Sequence, residues 1–254
     1  MDLNIPIDQH WIEATLLASV RIAAFLVVAP PFSDRAFPAV VKAALSMGLG
    51  LAVSPQVVSA TPALSDTAFL TAIPMQALLG AAFGFLVYLV FSAVQGAGGL
   101  IDLFGGFQIA AAFDPQLNLN GAQFTRLFQM ASLALIFSSG AYQVILRGLA
   151  GTFGALPIGH AFPSAFTAAA VADRAAQMFS SAAQIAGPLL IVLFLADLGL
   201  GLLTKVAPAL NAFSMSYPVK ILLTLALGGV VFLALPAAVQ QLTGDATDIL
   251  TGVR

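Results

Sequence analysis

Few side chains in this sequence could do chemistry, and their spacing limits what that chemistry is. Glutamate occurs once, at Glu13, and histidine twice, at His10 and His160. A zincin needs His-Glu-x-x-His on one helix face, and Glu13 is flanked by no such histidines. The phosphate-cradling pattern Gly-x-x-x-x-Gly-Lys-Ser/Thr is absent, as is the Gly-x-Ser-x-Gly elbow of a serine hydrolase. His160 follows Leu156-Pro157-Ile158-Gly159 and reads as a loop histidine. Cysteine is absent, which removes disulfides, iron–sulfur clusters and thiolate chemistry and leaves the compartment unread. The expectation is a protein that is not an enzyme and holds neither cofactor nor metal.

Two other features stand out. Arg21 lies inside an apolar run, where an ionised side chain costs about 2.5–3.5 kcal/mol on insertion scales. It is expected to be a structural charge that snorkels or pairs with a carboxylate, such as Asp34 or one on a partner. The second feature is the segment 95–121. Gly96, Gly98, Gly99, Gly105 and Gly106 crowd it, Asp102 sits among them, and Phe107 leads on to Asp114-Pro115. Each glycine lowers helix stability by roughly 1 kcal/mol relative to alanine. Irregular apolar backbone at membrane depth is viable only inside protein or beside a water-filled cavity. The segment therefore reads either as a re-entrant, plug-like loop ending at the Asp114-Pro115 turn or as close packing of two glycine-rich helices.

The elements that must position these residues follow from composition. Of 254 residues, 60% are apolar and 8% charged, and the mean hydropathy is +1.00. Ordinary soluble domains carry about 25% charge. A soluble domain, a disordered chain and a nucleic-acid binder are excluded, the last because a net charge of −2 leaves no basic stripe. Six stretches reach the ~20 apolar residues that cross a ~30 Å hydrocarbon core: 14–32, 39–60, 69–95, 127–146, 176–196 and 219–242. The N-terminus lacks a basic n-region, so the first run is expected to stay in the mature protein. The fold class is thus an all-α integral membrane protein, about six long hydrophobic helices arranged as hairpins, with a Gly-rich plug-like loop.

Pro55, Pro74, Pro188 and Pro236 fall inside these stretches and predict kinked helices packed on protein. Only Trp11, Tyr88, Tyr142 and Tyr217 could form interfacial belts, which points to partner proteins, rather than lipid, covering much of the surface. Arg35, Lys42, Arg126, Lys205 and Lys220 fall on one side and Arg147, Arg174 and Arg254 on the other. Five against three is thin support for an outside N-terminus, and the topology stays open. An echo links Phe37-Pro38-Ala39-Val40-Val41-Lys42 with Tyr217-Pro218-Val219-Lys220. Each reads as a turn opening a helix, with a lysine in the first turn that opposes the dipole and implies a headgroup, a carboxylate or a partner nearby.

At these residues the chain resembles the FliR/SctT family of export-gate subunits of flagellar and injectisome type III secretion. The resemblance covers nearly the whole chain. It runs through 21–31 with Phe37-Pro38 and Lys42, then Gly99-Leu100-Ile101-Asp102 leading to Gly106-Phe107 and Asp114-Pro115. It continues at Gly187-Pro188, Asp197-Leu198-Gly199-Leu200, and Ala207-Pro208-Ala209-Leu210-Asn211-Ala212-Phe213-Ser214 before Pro218-Val219-Lys220.

The resemblance implies a single-copy pore subunit, one membrane-embedded domain over 1–254. Residues 1–175 would be similar to the FliP-like subunit and 176–254, a helical hairpin, to the FliQ-like one. Several copies of those subunits join it in a hetero-oligomer, with FlhA-like and FlhB-like proteins completing an apparatus that passes unfolded proteins. A pore-closing loop at about 105–121 would use Gly105, Gly106, Phe107, Asp114 and Pro115. The implied setting is the bacterial cytoplasmic membrane, multi-pass, within a flagellar basal body, with the injectisome branch not separated. A transporter of a small solute, with its site at Asp102 or Asp197, is the alternative. A membrane hydrolase using a serine or His160 is the third reading.

Overall fold

A computed structural model describes residues 8–34, 36–108, 122–159, 167–206 and 212–252, with the backbone alone for 212–214. Among the described residues the chain is all-α and has seven helices. They are α1 (Gln9–Val28), α2 (Ala39–Ala60), α3 (Asp66–Phe104), α4 (Gln123–Ser138), α5 (Ala141–Ala155), α6 (Ala168–Val206) and α7 (Ala212–Thr251). Five of them are long and apolar enough to cross a membrane, and α4 with α5 makes a sixth if counted as one broken span. The protein is built as a multi-pass membrane protein.

Local chemistry explains the ends and breaks. Asp8 caps α1, its Oδ1 accepting from Trp11 N at 2.7 Å, and Pro30-Pro31 follows the helix C-terminus. Pro55 cannot donate to Leu51 O, and the Ser54 hydroxyl donates to that freed carbonyl at 2.8 Å. His10 Nε2 donates to Thr61 O at 2.9 Å, tying the start of α1 to the C-cap of α2.

The helices form two compact units. The first holds residues 1–90, 140–174 and 243–254, the second 91–139 and 175–242. In the first, glycine lets backbones meet. A Cβ on Gly50 would collide with Ser19 Oγ, and one on Gly80 with Arg21 O, so α2 and the first part of α3 close on α1. The core of this unit includes Leu17, Ile22, Phe25, Phe83, Ile145 and Phe153. In the second unit, Phe128, Ile136, Ala186, Leu193 and Leu235 are buried.

Three sequence expectations change. Gly96, Gly98 and Gly99 do not break the helix: α3 runs through them to Phe104. The reason is packing, since a Cβ on Gly98 would lie 2.6 Å from Thr125 Cα and one on Gly96 3.2 Å from Ala182 Cβ. The stretch 127–146 is not one helix, because Gly140 at φ +73° breaks it into α4 and α5. Tyr217-Pro218 does not open a helix, since α7 starts at Ala212 and passes through Pro218. The echo survives only at Pro38, where Lys42 stands in the first turn of α2.

Length and exposure also decide something. At ~1.5 Å per residue, α3, α6 and α7 are each about 60 Å long, twice a ~30 Å hydrocarbon core. Only 17% of the most apolar window of α6 is buried within the chain, against 56% for α3. Phe179, Ile191, Leu195, Leu202 and Val206 of α6 and Leu222, Leu225 and Leu233 of α7 face outward. So much uncovered apolar surface on helices of this length must be met by lipid or by other chains.

Candidate gate-loop root

The glycine-rich segment acquires a defined base. α3 ends as Gly105 N donates to Ile101 O at 2.8 Å, and Gly106 takes φ +84°, the left-handed conformation that closes helices. Neither glycine has room for a side chain. A Cβ on Gly105 would lie 2.6 Å from Ile101 O and 2.8 Å from Thr224 Oγ1, and one on Gly106 3.2 Å from the Tyr217 ring. The turn that ends α3 is thus seated on α7.

The next described helix, α4, has Ala122 at its N-cap, a residue with no side-chain acceptor. The first-turn amides of a helix need partners, and here Asp102 of α3 supplies them. Its Oδ1 accepts from Phe124 N at 2.8 Å. Its Oδ2 accepts from Thr125 N at 2.9 Å and from Thr125 Oγ1 at 2.8 Å. The carboxylate is fully buried and faces the positive end of the α4 dipole. Among the described residues no cation pairs with it. Gly98, one turn before Asp102, admits the backbone of Phe124 and Thr125 to this distance.

An aromatic row continues from the same place. Phe107 stands edge-on to Phe124 at 5.4 Å between centroids, Phe124 to Phe128 at 6.3 Å, and Phe128 to Phe232 of α7 at 6.2 Å. Of the loop residues named from sequence, Gly105, Gly106 and Phe107 therefore meet at one root. Asp114 and Pro115 lie outside the described residues, as does His160.

Arg21 is elsewhere, in the first unit, and it is fully buried. Asp34 is not its partner, since Asp34 Oδ1 accepts from Ala36 N at 2.9 Å. Arg21 Nε instead donates to Gln76 Oε1 at 2.7 Å and Nη2 to Leu156 O at 2.9 Å. A longer bond joins Nη1 to Thr152 O at 3.4 Å, and the guanidinium carbon stands 4.3 Å from the centroid of the Phe153 ring. The arginine thus closes the C-terminus of α5, where the Leu156 carbonyl, the Thr152 carbonyl that also accepts from Leu156 N, and the negative dipole end replace a carboxylate.

Asp197 of α6 and Lys220 of α7 form an ion pair at 2.6 Å, so of the headgroup, carboxylate or partner considered for this lysine it meets a carboxylate. Both carboxylates considered for a solute site are therefore engaged by the chain's own donors. Sequence reasoning missed the roles of Gln76, Thr125 and the α5 carbonyls. Ala122 before an apolar helix was the one available signal that a cap must come from a distance.

The chain matches the family of bacterial export proteins, family 1, over residues 12–246. It is 32% identical over 212 residues to the flagellar biosynthetic protein FliR of Bacillus subtilis (strain 168), covering 82% of each chain. It is 30% identical over 212 residues to the protein of that name from Escherichia coli (strain K12), covering 83% of this chain and 81% of the relative. The Yop proteins translocation protein T of Yersinia pestis is 29% identical over 225 residues, covering 84% of this chain and 83% of the relative. With a match that spans α1 to the last turns of α7, this chain belongs to the bacterial export proteins, family 1.

Proposed function

We propose that this chain is the single-copy pore subunit of a flagellar type III export gate, with the segment 105–121 as the plug of the closed channel. One observation carries the plug reading. Both legs of the segment are fixed at one root, by the Gly105-Gly106 turn against α7 and by Asp102 on the first turn of α4. A segment whose two ends meet at one root is suited to block a channel and to swing aside. Gly105 and Gly106 form the turn at its departing leg, and the remaining plug residues are Phe107, Asp114 and Pro115.

The same reading gives the chain its partners. FliP-like and FliQ-like subunits in a hetero-oligomer would cover the outward apolar faces of α6 and α7, with FlhA-like and FlhB-like proteins beside them. Residues 1–175 correspond to the FliP-like part and 176–254 to the FliQ-like hairpin, within one gate domain in the cytoplasmic membrane at the flagellar basal body. The chain does no bond chemistry, and unfolded export substrates pass through the pore under power supplied by other components.

Deletion of 109–121 in cells that carry the full apparatus tests the plug. Ion leak across the cytoplasmic membrane should rise while the chain still accumulates. Unchanged leak and unchanged secretion would remove the plug role.

A further inference from the structure

A cavity of about 460 Å³ lies in the first unit along the opening turns of α3. Leu64, Ala68, Ala72 and Met75 form its apolar wall, and Gln76 is its innermost residue along α3. Gly159, at φ +95° and with nothing within 4 Å of where a Cβ would stand, faces it from the connection after α5. The volume falls in the range of small-ligand sites and far exceeds that of one water.

Gln76 gives this space its chemistry. The side chain is 1% exposed, and Arg21 Nε donates to its Oε1 at 2.7 Å. Arginine can only donate, so that bond fixes the amide and turns Nε2 away from the guanidinium. Nε2 has no acceptor among the described residues, and the cavity is the space it opens on. Thr71, also on the wall, spends its hydroxyl on Ala68 O at 3.0 Å. The arginine behind the amide is held by dipoles alone: Gln76 Oε1 and the carbonyls of Thr152 and Leu156. A buried cation without a carboxylate leaves a positive field, and the bond it makes to Oε1 polarises the Nε2 donors. The inner end of the cavity therefore calls for an oxyanion and the wall for an apolar body.

We propose that this cavity is a phospholipid site. A phosphate oxygen accepts from Gln76 Nε2, and the glycerol and first acyl carbons lie against Leu64, Ala68, Ala72 and Met75. Leu64 and Gly159 belong to connections at helix ends, so the space is open at the level where chain leaves the helices. The exposed Leu70 and Leu78 continue an apolar surface along α3 for the acyl chains. Positively charged pockets between membrane helices hold anionic headgroups in this way.

The test uses the tagged chain, purified from its own cells in the assembly it forms and placed in liposomes. The probe is phosphatidylglycerol with a photoreactive diazirine near the glycerol end of one acyl chain, and mass spectrometry maps the adducts. Labelling should be saturable on the peptide 61–80, and a diacylglycerol with the same diazirine should label it about tenfold less. Gln76→Glu still accepts from Arg21 but sets a carboxylate where the donor stood, and should lower labelling about tenfold. Ala68→Phe fills the wall without touching Arg21 or Gln76 and should do the same. If Gln76→Glu fails to accumulate, Ala68→Phe and the diacylglycerol probe carry the test. Excess inorganic phosphate should not displace the probe; displacement would mean a free-anion site and overturn the lipid. Equal labelling by the two probes, or full labelling of both variants, overturns the proposal. An unlabelled 61–80 overturns it as well and leaves the cavity to a neighbouring chain.

Discussion

Gly98→Ala should loosen the root from the α3 side, and its neighbour Gly99→Ala supplies the control. A Cβ at 98 would lie 2.6 Å from Thr125 Cα and 2.7 Å from Phe124 O and Thr125 N. All three are backbone atoms, which cannot rotate away. Restoring an ordinary 3.4 Å contact from 2.6 Å requires α4 to retreat by about 0.8 Å. Overpacking of this kind costs about 1–3 kcal/mol. The retreat also stretches the bonds that Thr125 makes to Asp102, worth about 1.5–3 kcal/mol each to a charged acceptor. Against this, alanine gains about 1 kcal/mol of helix propensity. The net is a loss of about 2 kcal/mol or more for Gly98→Ala.

At Gly99 the nearest atom is Thr125 Oγ1 at 3.6 Å, an ordinary contact, so Gly99→Ala keeps the propensity gain. The assay is the temperature at which the detergent-solubilised gate complex dissociates, followed by size-exclusion chromatography. Gly98→Ala should lower it and Gly99→Ala should leave it unchanged or raise it. Equal behaviour of the two variants would refute the close approach of α3 and α4.

Three further outcomes are expected. Arg21→Met removes the donors that Leu156 O and Gln76 Oε1 have among the described residues and should lower accumulation of the chain strongly, with orphaned buried groups costing about 1–3 kcal/mol each; membrane immunoblots read it, and Arg21→Lys, which lacks the fork, should rescue it only in part. Asp197→Ala should cost about 1 kcal/mol or less because that carboxylate is 41% exposed, and the exchange Asp197→Lys with Lys220→Asp should recover the loss by the same thermal measurement. Ser54→Ala should lower stability by about 1 kcal/mol, since Leu51 O then lacks the donor that Pro55 cannot supply, whereas alanine at the exposed Ser59 should be neutral.

Membrane class and most of the spans were legible because hydropathy is a sum over many residues and tolerates local exceptions. Single positions were not. At Gly98 the propensity rule pointed to a broken helix, yet a tertiary neighbour, Thr125, rewards the missing Cβ. At Gly140 the same residue type does break the helix, since φ +73° has no packing alternative there. Composition cannot separate these two uses of glycine. Arg21 was legible as a buried charge, but its partners include backbone carbonyls of Thr152 and Leu156, which leave no mark in sequence. Asp102 caps a helix whose start is 21 residues away, while capping rules inspect the N-cap position itself, here Ala122. For Lys220 a first-turn position implied a headgroup, a carboxylate or a partner; α7 starts at Ala212, so that premise fails, although Asp197 is the carboxylate it meets.

The central claim, that this chain is one subunit of a gate whose other chains cover α6 and α7, is tested most directly by one mass measurement. The tagged chain is purified from its own cells in mild detergent and the intact assembly is weighed by native mass spectrometry. The account predicts a single copy of this chain carrying several copies of two other small hydrophobic subunits. A lone chain, or a homodimer, with its apolar faces covered by detergent alone would contradict it.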